Sequence, residues 1–187
     1  MELNSTQTLP VGQAIAWQAL NDIALLQQAI PGCEAINPTG DNAYEVLITA
    51  AVGPVKAKFK GKLLLGELNP PTSYTLNFEG QGGAAGHGKG SAQVRLEAQG
   101  EHQTLLHYSA KASVGGKLAQ VGSRVVDMAA QKMAGEFFER FNAALAERHR
   151  VAPTAAPAPA KPKAEAAGNL LGRFFGWLRR LLFNRSA

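Results

Sequence analysis

The sequence has one cysteine, few aromatic residues and no long apolar run, and each shortage excludes a class of protein. Cys33 is the single cysteine among 187 residues, so an intramolecular disulfide and a zinc site built on several cysteines are excluded. No segment reaches the roughly 18 consecutive apolar residues of a membrane-spanning helix. The first six residues have neither the basic nor the apolar part of a secretory signal, so we expect a cytoplasmic protein.

Acidic residues are almost missing from the last fifth of the chain, and this explains the formal net charge of +5. Residues 1–149 carry 12 lysines and arginines against 13 aspartates and glutamates, whereas residues 150–187 carry seven against the single Glu165. The basicity therefore belongs to the tail. A nucleic-acid-binding domain is not expected, because the body of the protein is close to neutral.

The apolar pattern predicts strands and two short helices in the first two thirds of the chain. Alternation predicts a strand at 2–9, and helical spacing predicts helices at 11–20 and 23–30, followed by a loop. Five more strands are expected at 44–52, 55–67, 73–79, 91–98 and 104–114, the first two joined by a turn at Gly53-Pro54.

From Lys117 to about His149 apolar residues recur every three or four positions, which predicts one long helix. This order of elements indicates an α+β domain in which a curved antiparallel sheet wraps around the long C-terminal helix. Such a fold has a natural place for a ligand between its sheet and its helix.

After this domain, at 1–149, we predict a flexible linker at 150–168 and a basic amphipathic tail helix at 169–187. The linker is rich in proline and alanine and has too little apolar bulk to fold. In the tail, phenylalanine, tryptophan and leucine share one face and arginine the other, which is typical of a helix lying in the membrane interface. The predicted membrane-binding residues are Leu170, Leu171, Arg173, Phe174, Phe175, Trp177, Leu178, Arg179, Arg180, Leu181 and Leu182. The alternative is that this face docks onto the domain itself or into a groove on a partner protein.

No motif in the sequence calls for catalysis or for a metal. Residues 83–90 come close to a phosphate-binding loop, but Gly90 stands where a serine or threonine is needed and a strand pattern follows. The four histidines have no metal-ligand spacing. We therefore predict a protein without catalytic residues, and we interpret the glycines from 80 to 90 as a hairpin at the lip of a pocket.

Strict alternation places Lys56, Lys58, Lys60 and Lys62 on one face of their strand and apolar residues on the other. The lysines form either a solvated face or an electropositive stripe that meets an acidic partner or lipid headgroups.

Small residues beside large ones, on both the sheet and the facing helix, predict a space that favours an apolar ligand. The candidate ligand-binding residues are Phe59, Leu63, Leu65, Leu76, Phe78, Val94 and Tyr108 from the strands and Val121, Gly122, Val125, Ala129 and Met133 from the helix.

Four stretches together resemble the CoxG family of carbon monoxide dehydrogenase subunits, which has the helix-grip fold of the START-like lipid-binding superfamily. They are residues 29–34, residues 52–61, the glycine hairpin at 80–90, and Leu118–Arg124 continuing to Met133 and Phe137-Phe138. The resemblance covers residues 1 to about 147.

The resemblance implies a ligand cavity, no catalytic residues, and a membrane-binding helix after a variable linker. It also implies two partners: a respiratory quinone such as menaquinone or ubiquinone, and a molybdenum hydroxylase of the carbon monoxide dehydrogenase type, recruited to the inner face of the cell membrane. We therefore expect a carrier that presents quinone to this enzyme. The alternatives are an adaptor without cargo and a hydrolase or cyclase, and the inward-facing residues lack the convergent polar cluster that an enzyme needs.

Overall fold

In the computed structural model, which describes residues 1–149, seven antiparallel strands form one curved sheet that packs against a long helix. The strands are β1 (Glu2–Leu9), β2 (Cys33–Gly40), β3 (Ala43–Val52), β4 (Val55–Asn69), β5 (Ser73–Gln81), β6 (His87–Ala98) and β7 (Thr104–Gly115). The helices are α1 (Gln13–Leu20), α2 (Ile23–Ala29), α3 (Lys117–Gln120) and α4 (Ser123–Arg148), and Gly83–Ala85 adds one 3₁₀ turn.

The strand order β1-β7-β6-β5-β4-β3-β2 makes the N-terminal strand and β2 the two edges of the sheet. The predicted α+β arrangement is therefore confirmed within residues 1–149. The predicted linker at 150–168 and tail helix at 169–187 lie outside the described residues. None of the helices between residues 1 and 149 is both long and apolar enough to cross a bilayer.

The alternation in β4 separates a wet face from a covered face, as predicted. The lysines face solvent, and three of them reach a carboxylate on a neighbouring strand: Lys58 pairs with Glu34 at 2.8 Å, Lys60 with Glu45 at 3.0 Å and Lys62 with Glu79 at 3.7 Å. The pKa of Glu34 is lowered by the Lys58 ammonium and by the Thr49 hydroxyl that donates to it at 2.7 Å. The lysine face is therefore largely charge-balanced, which favours the solvated face over the electropositive stripe.

Two local expectations are wrong. The segment predicted as a loop after α2 contains β2, a strand with Asn37, Pro38 and Gly40 in its second half. Proline is tolerated there because β2 is an edge strand that pairs only with β3. The predicted continuous helix from Lys117 is interrupted at Val121-Gly122, where Gly122 has φ +92°. This left-handed conformation ends the helical hydrogen bonding between α3 and α4.

The core lies at the end of the sheet nearest α1 and α2. Its most deeply buried side chains come from β1, α2, β7 and α4, and they are Leu9, Leu25, Leu106, Phe141 and Leu145. One polar residue is buried among them: the Thr104 hydroxyl donates a 2.8 Å hydrogen bond to the Val11 carbonyl, which satisfies both groups.

Asp22 ties the start of α2 to the end of α4. Its Oδ1 accepts the Leu25 N–H at 3.1 Å as a helix N-cap, and its Oδ2 accepts a hydrogen bond from the Arg148 guanidinium. The Arg148 hydrogen bond is the largest cause of the lowered pKa of Asp22, and the cap is the next. Since Asp22 is partly exposed, we expect the ion pair to contribute less than about 1 kcal/mol and the cap about 1 kcal/mol.

We expect Asp22→Ala to lower the free energy of unfolding by about 1–2 kcal/mol at neutral pH, because both contacts are lost. Asp22→Asn keeps a capping oxygen and should cost less than half of that amount. A depressed pKa means that the ionised form stabilises the fold above the ordinary value of 3.8, and that this stability is lost as the pH falls through the lower folded value. Urea titrations at several pH values check this, and a cost of Asp22→Asn that does not shrink in acid would contradict it.

Candidate functional site

A cavity of about 310 Å³ lies between the sheet, the two N-terminal helices and the C-terminal half of α4. Its volume lies at the lower end of the range for small-molecule sites, roughly 300–1,000 Å³. Its 18 lining residues are Leu20, Asn21, Ile23, Leu26, Ile30, Ile36, Tyr44, Val46, Leu63, Leu65, Tyr74, Leu76, Ala92, Val94, Leu106, Tyr108, Phe137 and Phe138.

The lining is apolar because each wall presents the apolar side of an amphipathic element. Strand register places Leu65, Leu76 and Ala92 side by side on β4, β5 and β6, and Tyr74, Val94 and Tyr108 in the next row. Helix α2 supplies the opposite wall through residues such as Ile23 and Leu26. Such a surface binds apolar ligands by excluding water from both partners.

Polar atoms in the lining side chains come from Asn21 and three tyrosines, Tyr44, Tyr74 and Tyr108. Asn21 already donates to the Trp17 carbonyl at 2.8 Å. Burial raises the pKa of Tyr74, so its hydroxyl stays protonated at physiological pH and remains a hydrogen-bond donor. The tyrosines can therefore orient a carbonyl or hydroxyl group on a ligand that is otherwise apolar.

Aromatic rings pack against one another along one wall of the cavity. Tyr108 stacks on Phe138 with ring centroids 5.4 Å apart, and Phe138 meets Phe137 edge to face at 4.9 Å. Phe137 in turn stacks on the fully buried Phe141 at 5.4 Å. This chain of rings connects the cavity wall to the core, so the wall is held in place by packing.

Five of the twelve candidate ligand-binding residues lie together in this cavity: Leu63, Leu65, Leu76, Val94 and Tyr108. All five come from the strands, where a period of two decides which side chains face inward. Their contact with a ligand stays a prediction.

Three candidates from the helix line a different space. Val125, Ala129 and Met133 lie along a groove of about 600 Å³ between the N-terminal half of α4, the end of β3 and Pro31-Gly32. Since Phe137 follows Met133 by one helical turn on α4, this groove is the neighbour of the cavity along the same helix.

The structure places the other four candidates outside the cavity. Phe59 packs over Gly82, where an added Cβ would lie 2.3 Å from its Cε1, and Phe78 lies over Gly90 in the same manner at 2.6 Å. These contacts explain why glycine occupies positions 82 and 90. Val121 and Gly122 form the break between α3 and α4 and do not line the cavity.

The sequence prediction missed the whole wall formed by α1, α2 and β2. Leu20, Ile23, Leu26 and Ile30 belong to helices whose apolar residues were assigned to ordinary packing, and Ile36 lies in the unpredicted strand. The signal for Phe137 and Phe138 was present, because these residues stand in one of the stretches that carry the family resemblance.

A larger depression, of about 830 Å³, crosses the outer face of the sheet. Its rim carries Lys62, Glu79, Lys89 and Lys111, and its floor is strand backbone. This surface is charged and open to water, so it does not suit an apolar ligand.

Within residues 1–149 no three histidine, cysteine or acidic side chains are grouped closely enough to hold a metal ion. The Cys33 thiol is half-buried, and burial raises its pKa, so little of it is present as the reactive thiolate.

Comparison with known families finds a match over most of the domain. The CoxG family model, which describes a subunit of carbon monoxide dehydrogenase, matches residues 8–146. No curated protein sequence matches the chain at a significant level.

Solved structures with the same fold include three bacterial proteins. A conserved protein from Geobacillus kaustophilus is 26% identical, with a TM-score of 0.74 over 79% of this chain and 96% of its own. A START superfamily protein from Mycobacterium smegmatis is 10% identical, with a TM-score of 0.62 over 79% and 98%. The ZhuI aromatase/cyclase from Streptomyces sp. R1128 is 12% identical, with a TM-score of 0.61 over 82% and 98%. At 10% and 12% identity the last two show a shared START-like fold alone.

Proposed function

This chain belongs to the CoxG family of carbon monoxide dehydrogenase subunits, and from that premise we propose that it is a non-enzymatic carrier for a lipophilic ligand, a respiratory quinone. The observation that carries the proposal is the apolar cavity between the sheet and the helices. A quinone ring is apolar on both faces and has carbonyl oxygens at its edge, which matches apolar walls with a few tyrosine hydroxyls.

The cavity has room for the ring system of a quinone and not for a long isoprenoid chain as well, since it measures about 310 Å³. The chain of such a ligand therefore has to leave the cavity. The groove along Val125, Ala129 and Met133 is apolar and adjoins the cavity, so it offers a path for the chain.

In this proposal the tail at 169–187 holds the protein at the inner face of the cell membrane, and the linker lets the domain move between the bilayer and a soluble oxidoreductase. The family name supports a molybdenum hydroxylase of the carbon monoxide dehydrogenase type as that partner. The quinone would serve the enzyme as its electron acceptor.

We expect native mass spectrometry of the purified full chain to show a population heavier than the sequence mass by one quinone, because the apolar cavity retains a ligand that water does not dissolve. Solvent extraction and absorbance spectroscopy identify the ligand. A chain that is reproducibly empty, and that stays empty after incubation with vesicles containing ubiquinone or menaquinone, would refute the carrier function.

A further inference from the structure

One end of the domain exposes apolar side chains that nothing in residues 1–149 covers. We call it the Met128 end and define it by the groove beside α4, the β3–β4 turn at Gly53-Pro54, and α3. Met128 is 70% exposed, compared with 51% for Leu64 and 40% for Met1, the other exposed large apolar residues of the described chain. An exposed methionine on a helix costs solvation free energy unless a partner covers it.

The Met128 end is a single surface, because its elements touch one another. A Cβ added at Gly53 in the β3–β4 turn would lie 2.9 Å from the Val125 side chain at the start of α4. Helix α3 contacts both α4 and the 3₁₀ turn at Gly83–Ala85. Apolar groove and turn are therefore presented together to whatever lies beyond this end.

Cations stand around this apolar surface without carboxylate partners. Lys56 lies opposite Ala51 of the groove wall, Lys117 begins α3, and Arg124 precedes Val125. In the described part of the chain none of the three has a carboxylate within 4.0 Å, in contrast to Lys58, Lys60 and Lys62.

The acidic groups at this end do not cancel those cations. Glu136 is shared between Lys132 at 3.7 Å and Arg140 at 3.8 Å. Asp127 is half-buried, with one carboxylate oxygen out of reach of solvent. An apolar centre with unpaired cations at its rim is complementary to a bilayer that carries anionic headgroups over an apolar interior.

We propose that the Met128 end is the surface by which the domain itself contacts an anionic phospholipid bilayer, and that it is the entrance through which the ligand reaches the cavity. The bilayer contact rests on the exposed apolar and cationic residues alone. The entrance role rests on the proposed carrier function, since Met133 in the groove and Phe137 in the cavity wall are one helical turn apart.

A fluorescent label at position 128 tests the contact. In the full chain carrying Cys33→Ala, the label is attached after Met128→Cys or, as the matched control on the outer sheet face, after Leu64→Cys. Vesicles of phosphatidylethanolamine and phosphatidylglycerol contain nitroxide-labelled lipid as the quencher. We expect quenching at position 128 to exceed quenching at position 64 several-fold, and to fall when phosphatidylcholine replaces the anionic lipid.

Equal quenching at the two positions, or none at either, would overturn the proposal. Quenching that is unaffected by removing the anionic lipid would overturn the role of the cations. Protection of position 128 by an added partner protein, with no quenching by vesicles, would assign this surface to a protein interface and overturn the bilayer contact.

The entrance role is tested by the rate of ligand uptake. We expect Met128→Glu to slow uptake of ubiquinone from vesicles about tenfold, because burial of a methionine side chain contributes enough free energy for at least that factor. Affinity for a detergent-solubilised, short-chain ubiquinone should not change, and Leu64→Glu should have neither effect. If both variants take up ligand at the native rate, the entrance lies elsewhere. If no variant and no native protein binds the solubilised quinone, the carrier function fails, while the quenching result still decides the bilayer contact.

Discussion

Ending the chain at Arg150 is expected to reduce its binding to anionic vesicles by about a thousandfold, equal to about 4 kcal/mol. If five apolar tail side chains bury, each contributes roughly 1.5–3 kcal/mol, and each arginine near anionic headgroups adds about 1 kcal/mol. Ordering the tail as a helix offsets a large part of that sum. Vesicle flotation of the full and shortened chains measures the difference.

The control for this experiment keeps the length of the tail and removes its apolar face. Full chains carrying Phe174→Ser, Trp177→Ser and Leu181→Ser should float as poorly as the shortened chain, whereas Arg179→Gln with Arg180→Gln should lose binding mainly at high salt. Weak residual binding of the shortened chain is expected from the Met128 end. Flotation of the shortened chain equal to that of the full chain would show that the tail is not the anchor.

Filling the cavity is expected to reduce quinone affinity ten- to hundredfold, and Ala92→Phe is the sharpest way to do it. Ala92 lies in the middle strand of the cavity floor, beside Leu76 on β5 and Ala110 on β7. A phenyl ring there occupies the space of the ligand ring, and a clash of this kind costs about 1–3 kcal/mol. Affinity is measured by titration with a detergent-solubilised, short-chain ubiquinone.

The matched control is Ala98→Phe, at the exposed end of the same strand. It should leave affinity unchanged, and neither variant should alter vesicle flotation. If Ala92→Phe abolishes quinone binding and leaves quinone-dependent turnover of the partner enzyme at the membrane intact, the protein is an adaptor without cargo. If Ala92→Phe folds normally and binds quinone as the native chain does, the cavity is not the binding site.

The interior of the sheet is the part of the site that sequence periodicity identified best. A strand alternates its side chains between two faces, so the choice of Lys62 as outward and Leu63 as inward needs no knowledge of the rest of the fold. Leu63, Leu65, Leu76, Val94 and Tyr108 meet in one cavity because their strands pair in the register that this alternation permits.

Helix residues were harder to place, because a helix offers a broad apolar arc and different turns of it face different neighbours. The stripe from Val125 to Leu145 runs past the groove, the cavity wall and the core in turn. Val125 and Met133 belong to the groove, whereas Phe137 and Phe138 belong to the cavity wall. Nothing in the spacing of three and four distinguishes these neighbours.

The sequence by itself determined the fold class, the family and the faces of the strands, because alternation, helical spacing and glycine positions are local properties of the chain. Only the tertiary structure decided that α1, α2 and β2 close one side of the cavity, that Gly122 divides the last helix, and that Met128 stays uncovered. The physical reason is that a cavity is the space that several packed elements leave unfilled. Its walls are set by contacts between residues far apart in the chain, such as Asp22 with Arg148, and by no single local pattern.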